Sequence, residues 1–173
     1  MSNLANVWKP IVVLGLICIS ITSALAVTNS MTAPVIAAAN EQAANEARYE
    51  LMPQAGGFTQ VAYNGEGVTE IYSANSGEGV IITCTAKGYG GDIVVLVALD
   101  SDGMIQRIKI QEQSETVGIG TKIEDESFWG SFSGLPAQPL TVDDINAISG
   151  ATISSKAVTK AVNYALDAFD VIS

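Results

Sequence analysis

The longest pattern in the chain is a run of 17 residues without a charge, positions 11–27, reading Ile-Val-Val-Leu-Gly-Leu-Ile-Cys-Ile-Ser-Ile-Thr-Ser-Ala-Leu-Ala-Val. A membrane-spanning helix needs roughly 17–25 residues of this kind, so the run predicts a transmembrane anchor over 8–28. A cleaved signal peptide is the competing reading, because Ala24-Leu25-Ala26 has the small-x-small form of a cleavage site. The uncleaved anchor is favoured because a single Lys precedes the run and nothing breaks the chain after Ala26 until Pro34. Lys9 before the run predicts a cytoplasmic N-terminus, with the remainder outside the cytoplasm. Residues 33–52 mix Ala with Asn40, Glu41, Asn45, Glu46 and Arg48 and predict a juxtamembrane helix within 29–53, ended by Pro53.

After position 54 the pattern shortens. Residues 54–67 read as a Gly-containing connector. Four β-branched runs bounded by turn residues then predict strands over 68–73, 79–87, 92–100 and 104–111, the last with imperfect alternation. Asp100-Ser101-Asp102-Gly103 predicts a tight hairpin, and Gly88-Tyr89-Gly90-Gly91 joins the two strands before it. A loop over 113–122 and a small aromatic cluster, Phe128-Trp129-Gly130-Ser131-Phe132, follow. In the last stretch Ala157, Val158, Ala161, Val162, Ala165, Leu166 and Phe169 recur at spacings of three and four, which predicts a helix over 154–169 with one face on the sheet. The fold class is α+β: a mostly antiparallel sheet with packed helices, tethered by one N-terminal transmembrane helix, with residues 54–173 as the extracytoplasmic domain.

Composition narrows the chemistry. Of 8 basic residues only Lys9 precedes the apolar run, leaving 7 basic against 18 acidic residues, a net charge of −11. Such a surface repels nucleic acid. The chain has no histidine, which excludes His-dependent triads, two-histidine metal sites and haem with an axial His. Cys18 and Cys84 cannot hold a four-cysteine cluster and are too few for a disulfide framework. Cys18 follows Ile17, a poor fit to a lipid-attachment site, and reads as bilayer-facing; Cys84 reads as an inert core thiol.

The candidate chemistry lies at Ser149-Gly150-Ala151-Thr152, a hydroxyl among small residues just before the last helix. Small residues let a large ligand approach the backbone, and a helix N-terminus suits a phosphate. The plain alternative is a turn before a helix, with Ser149 or Ser154 as N-cap. Lys156 falls in the first helical turn, where the dipole disfavours a cation unless a phosphate is present.

At these residues the sequence resembles the FMN-binding domain family whose members carry FMN covalently, the phosphate esterified to the Thr of the same four-residue motif. Gly88-Tyr89-Gly90-Gly91, Glu115-Thr116-Val117-Gly118-Ile119-Gly120 and Phe128-Trp129-Gly130-Ser131-Phe132 resemble the family's other blocks, in the same order. Val117 stands where the family commonly has Pro. The resemblance spans residues 80–170; the N-terminal part is similar by topology alone. Within the family, the short length and single anchor are most similar to the G subunits of Rnf complexes, which couple electron flow between ferredoxin and NAD to ion pumping. The C subunits of sodium-translocating NADH:quinone oxidoreductases are similar but longer.

The resemblance implies FMN bound as a phosphoester to Thr152, with Ser149, Gly150 and Ala151 beside it and Lys156 toward the phosphate. It implies that Glu115, Thr116, Gly118 and Gly120 lie beside the flavin ring. It further implies an FAD-dependent flavin transferase that installs the group, with Asp144 in the segment that enzyme reads. The remaining implications are partner membrane subunits of an Rnf-type complex, a place in the inner (cytoplasmic) membrane and no independent catalytic site. Three other readings stay open: a flavin-free adaptor of a membrane complex, a lone FMN shuttle to an extracytoplasmic reductase, and a C subunit of a sodium-translocating NADH:quinone oxidoreductase. Gly90 and Gly91 read as turn residues first, and Phe128 and Trp129 as core before stacking partners.

Overall fold

The computed structural model describes residues 4–172. Its first element is one continuous helix, α1, Leu4–Leu51, with Pro10 and Pro34 inside it. The stretch Trp8–Leu51 is long and apolar enough to cross a membrane. The consecutive residues Ile11, Val12, Val13 and Leu14 are all exposed, so the helix is apolar all round rather than on one face. Several of its hydroxyls are satisfied within the helix. Ser20 and Thr22 donate to the carbonyls of Leu16 and Cys18, both at 2.7 Å, and Thr28 donates to that of Ala24 at 2.9 Å. Back-bonding of this kind gives a hydroxyl proton a partner where hydrocarbon offers none. Pro34 does not end the helix.

The chain divides into two compact units after Ala43, so the last two turns of α1 belong to the globular unit. That unit is built on five antiparallel strands in sequential order: β1 (Phe58–Val61), β2 (Val68–Ala74), β3 (Gly79–Lys87), β4 (Asp92–Asp100) and β5 (Ile105–Glu112). The connector expected over 54–67 therefore contains a strand, with Phe58 opposite Ala74 and Val61 opposite Ile71. Strand β5 explains its own imperfect alternation. Its pairing with β4 steps from Leu99↔Ile105 to Ala98↔Arg107, and again from Val95↔Ile110 to Val94↔Glu112. Each step is a bulge that flips the following side chains to the other face.

Both faces of the sheet are covered. Ile93, Val95, Val97 and Leu99 point to one core, where α3 (Thr152–Ile172) lays Ala157, Val158, Ala161, Val162 and Ala165. Leu96 and Ala98 point the other way, onto Ala47, Leu51 and Met52 near the end of α1. Arg48 fixes that back layer. It is buried, donates to Glu70 Oε2 at 3.0 Å and to Asn45 Oδ1 at 2.8 Å, and stacks 3.7 Å over the Tyr72 ring. After β5 come a 3₁₀ turn (Gly120–Glu124), a short helix α2 (Glu126–Trp129) and a second 3₁₀ turn (Gly130–Phe132). Phe128 and Phe132 are buried edge to face, 5.6 Å apart, which makes them core; Trp129 is partly exposed and carries Arg107 at 4.5 Å over its ring.

Burial pushes the Cys84 thiol up to about 12. The thiolate is the reactive form, so Cys84 is expected to resist maleimide at pH 8 in the folded chain and to react once denatured. Rapid labelling of the native protein at Cys84 contradicts this placement.

Candidate functional site: a cavity at the N-terminus of the last helix

Helix α3 begins two residues earlier than its apolar period suggests, at Thr152. The reason is local. Ile148-Ser149-Gly150-Ala151 is a turn closed by the Ala151 N–H on the Ile148 carbonyl at 3.0 Å, with Gly150 at φ +85°. That φ at the third turn position requires glycine or its few substitutes. The chain enters the helix directly, the first helical bond running from the Ser155 N–H to the Ala151 carbonyl at 2.9 Å. Ala151 thus holds the cap position. Of the two serines expected to cap, Ser149 lies exposed in the turn and Ser154 lies in the first helical turn with its hydroxyl directed elsewhere. The amides of Thr152, Ile153 and Ser154 precede the first helical bond, the condition that favours an anion there.

The approach to this turn is held at several points. Asn163 on α3 accepts from the Leu140 N–H and donates to the Leu140 carbonyl, both at 2.8 Å. Asn146 donates to Ser127 O and, through its N–H, to Ser131 Oγ, each at 3.2 Å. Ser155 Oγ accepts from the Ile148 N–H at 3.1 Å. Asp144 caps its own turn, accepting from the Thr141 N–H and hydroxyl, and these bonds hold its carboxyl below the usual range.

Opposite Thr152 stands the loop after β5. The Thr116 carbonyl gathers it, accepting from the N–H groups of Ile119, Gly120 and Thr121 at 3.2, 2.9 and 3.3 Å. Gly118 takes φ +80° at the loop tip and donates to Thr121 Oγ1 at 3.0 Å. The third wall is the hairpin between β3 and β4, with Tyr89 at its tip. Together these enclose a cavity of about 460 Å³ lined by Tyr89, Glu115, Thr116, Ile119, Gly120 and residues 150–154. That volume lies in the range of roughly 300–1,000 Å³ usual for small-molecule sites.

Several expected residues therefore share one cavity: Glu115, Thr116, Gly120, Gly150, Ala151 and Thr152. Ser149 and Gly118 flank it without lining it. Lys156 stands one turn beyond Thr152 and lines a separate cleft with Thr159, Lys160 and Asn163. Four further residues line the cavity without being expected there, the first of them Ile119, between the two glycines of the loop. Ile153 and Ser154 follow Thr152 directly, and Tyr89 enters the sequence reading only through the glycines around it. Tyr89 does carry a signal, since a large aromatic at the tip of a Gly-rich hairpin has no core to enter; it is 71% exposed.

The residues present suit FMN. An exposed hydroxyl sits beside free helix amides for a phosphate, and Tyr89, Ile119 and Ile153 offer exposed apolar surface for a planar ring. Residues 88–167, which contain the whole lining, match the FMN-binding domain family. The globular unit is thus an FMN-binding domain. The chain is 33% identical to the G subunit of the Na(+)-translocating ferredoxin:NAD(+) oxidoreductase complex of Acetobacterium woodii, over 96% of this chain and 95% of that one. It is 36% identical to the G subunit of the proton-translocating ferredoxin:NAD(+) oxidoreductase complex of Clostridium ljungdahlii, over 79% and 77% of the two chains. It is 30% identical to the G subunit of the ion-translocating oxidoreductase complex of Methanosarcina acetivorans, over 96% of each. The chain belongs to the family of G subunits of these ion-translocating oxidoreductase complexes. A solved structure, the C subunit of the Na(+)-translocating NADH-quinone reductase from Parabacteroides distasonis, aligns with a TM-score of 0.47 at 22% identity over 58% of this chain and 57% of that one.

Proposed function

We propose that this chain is the membrane-anchored electron-carrier component of an ion-translocating ferredoxin:NAD oxidoreductase complex, with FMN joined through its phosphate to Thr152. One observation carries the reading: Thr152 is the exposed first residue of α3 and lines the cavity of an FMN-binding domain. Attachment joins Thr152 Oγ to the flavin-side phosphorus of FAD; the P–O–P bond breaks, AMP leaves, and the hydroxyl proton passes to a separate flavin transferase. A covalent tether keeps the group in a site outside the cytoplasm. When bound, FMN accepts and passes electrons one at a time. The chain's own residues supply attachment, position and polarity. The Thr152, Ile153 and Ser154 amides would hold the phosphate, Lys156 would add a positive charge one turn away, and Tyr89, Ile119 and Ile153 would flank the ring. No general base is needed, in keeping with a chain that has no histidine.

Two expected outcomes test this. The chain purified from its native membranes is expected to keep flavin fluorescence through a denaturing gel and to bring other membrane subunits with it. A flavin-free chain accompanied by those subunits supports the adaptor reading instead, and a flavin-bearing chain that purifies alone supports the lone shuttle. Topology is tested separately. The anchor reading predicts an intact N-terminus and a globular domain open to protease added outside right-side-out vesicles. A mature chain starting near Val27 contradicts the anchor, and protection of the domain contradicts the orientation.

A further inference from the structure

Glu115 is buried at 6% exposure, yet its carboxylate joins all three walls of the cavity. Oε1 accepts from the N–H groups of Tyr89 and Gly90 at 2.9 and 3.1 Å, on the β3–β4 hairpin. Oε2 accepts from the Ser154 hydroxyl at 2.6 Å, on α3, 39 residues away in sequence. Its own N–H is held by Gln113 Oε1 at 2.6 Å. Glycines clear the space around it. A Cβ on Gly120 would come within 2.7 Å of both Glu115 Cβ and Oε2, and one on Gly88 would fall onto Oε1. The Ser154 hydroxyl, unused as a cap, is used here. No cation is among these partners: the carboxylate is hydrogen-bonded by two amides and a hydroxyl, at the wall of a cavity.

We propose that Glu115 is a positioning residue that assembles the flavin cavity from its three walls, and that its buried negative charge holds the reduction potential of the bound flavin down. The proposal rests on FMN occupying this cavity. The assembling role follows from geometry, since among the described residues no other side chain bonds to both the hairpin and α3. The electrostatic role follows from Coulomb's law. A fixed negative charge in a weakly screened site opposes the arrival of an electron nearby.

Two variants of the full chain separate the roles. Glu115→Gln keeps every bond, because the amide oxygen can accept from Tyr89 and Gly90 and the amide N–H can donate to Ser154 Oγ. It is expected to fold, keep the high fluorescence anisotropy of a held flavin, and show a more positive midpoint potential in a redox titration. Glu115→Ala is expected to keep the flavin bound to Thr152 while anisotropy falls toward that of a freely swivelling ring. An unchanged potential in Glu115→Gln overturns the electrostatic role, as does failure of that variant to fold. Unchanged anisotropy in Glu115→Ala overturns the assembling role; if that variant does not fold, Ser154→Ala, which removes the bond from α3 to Glu115, is read by anisotropy in its place, and an unchanged value overturns the role. A wild-type chain without flavin instead contradicts the reading on which the proposal rests.

Discussion

Membranes in which Thr152 is replaced by alanine are expected to lose nearly all ferredoxin-dependent NAD reduction, while the complex still assembles. The expectation follows from the position of one hydroxyl. Thr152 is exposed at the first position of α3, ahead of the first helical bond, where its side chain is not part of the buried packing. Surface substitutions away from caps and buried networks change stability by about 0.5 kcal/mol or less. The variant should therefore fold, insert and meet its partners, yet offer no oxygen for the phosphoester. Electron flow through the complex then lacks one carrier. Thr152→Ser, which restores the hydroxyl without the methyl, is expected to recover flavin and flux together. The measurement is the rate of NAD reduction by reduced ferredoxin in vesicles, normalised to assembled complex. A full rate in Thr152→Ala places the flavin off the electron path and favours an adaptor.

Gly90→Ala is expected to have the second large effect, and for a different reason. A Cβ at this position would fall onto the Ser114 carbonyl oxygen and within 3.2 Å of Glu115 Cα. Both are backbone atoms, so no side-chain rotation relieves the clash. The hairpin and the loop must separate, and the bond from the Gly90 N–H to Glu115 is drawn out with them. Overpacking of this kind costs about 1–3 kcal/mol, which lowers the melting temperature of the flavin domain by about 5–10 °C. Flavin anisotropy should fall in parallel. Gly118→Ala is the contrast. Gly118 has φ +80° and nothing within 4 Å of its Cβ, so backbone strain of about 1 kcal/mol is the whole cost. Equal losses in the two variants, read by flavin-reported melting, contradict the proposed close approach.

Much of the architecture was legible because its signals are local. The charge-free run, the β-branched strands and the three–four spacing of Ala157 to Phe169 each announce an element without reference to the rest of the chain. What escaped depends on partners distant in sequence. Phe58–Val61 is a four-residue edge strand with two exposed centre residues, and only its pairing with β2 makes it a strand. The bulges of β5 are properties of its register on β4 and cannot be read from either strand alone. Pro34 lies within a helix that continues to Leu51.

The site divides in the same way. Thr152 and its glycine neighbour could be read directly, because the turn at Gly150 and the helix start are set within eight residues, 148–155. The role of Glu115 could not. Its placement beside Thr116 and the glycines resembles a ring contact, but nothing in the loop indicates that its oxygens meet a hairpin 25 residues before it and a helix 39 residues after. Ser154 is a reasonable cap by type, and the turn at Gly150 makes that cap unnecessary by placing Ala151 there. Lys156 illustrates the limit of helical spacing: four residues from Thr152, it shares that side of α3 yet lines a different cleft.

Peptide mass spectrometry of the chain purified from its native membranes tests most directly whether Thr152 carries the flavin. The peptide containing Thr152 is predicted to be heavier than its sequence by one FMN less one water, with fragment ions assigning the added mass to that residue. An unmodified peptide, or the same added mass persisting in Thr152→Ala, contradicts the assignment.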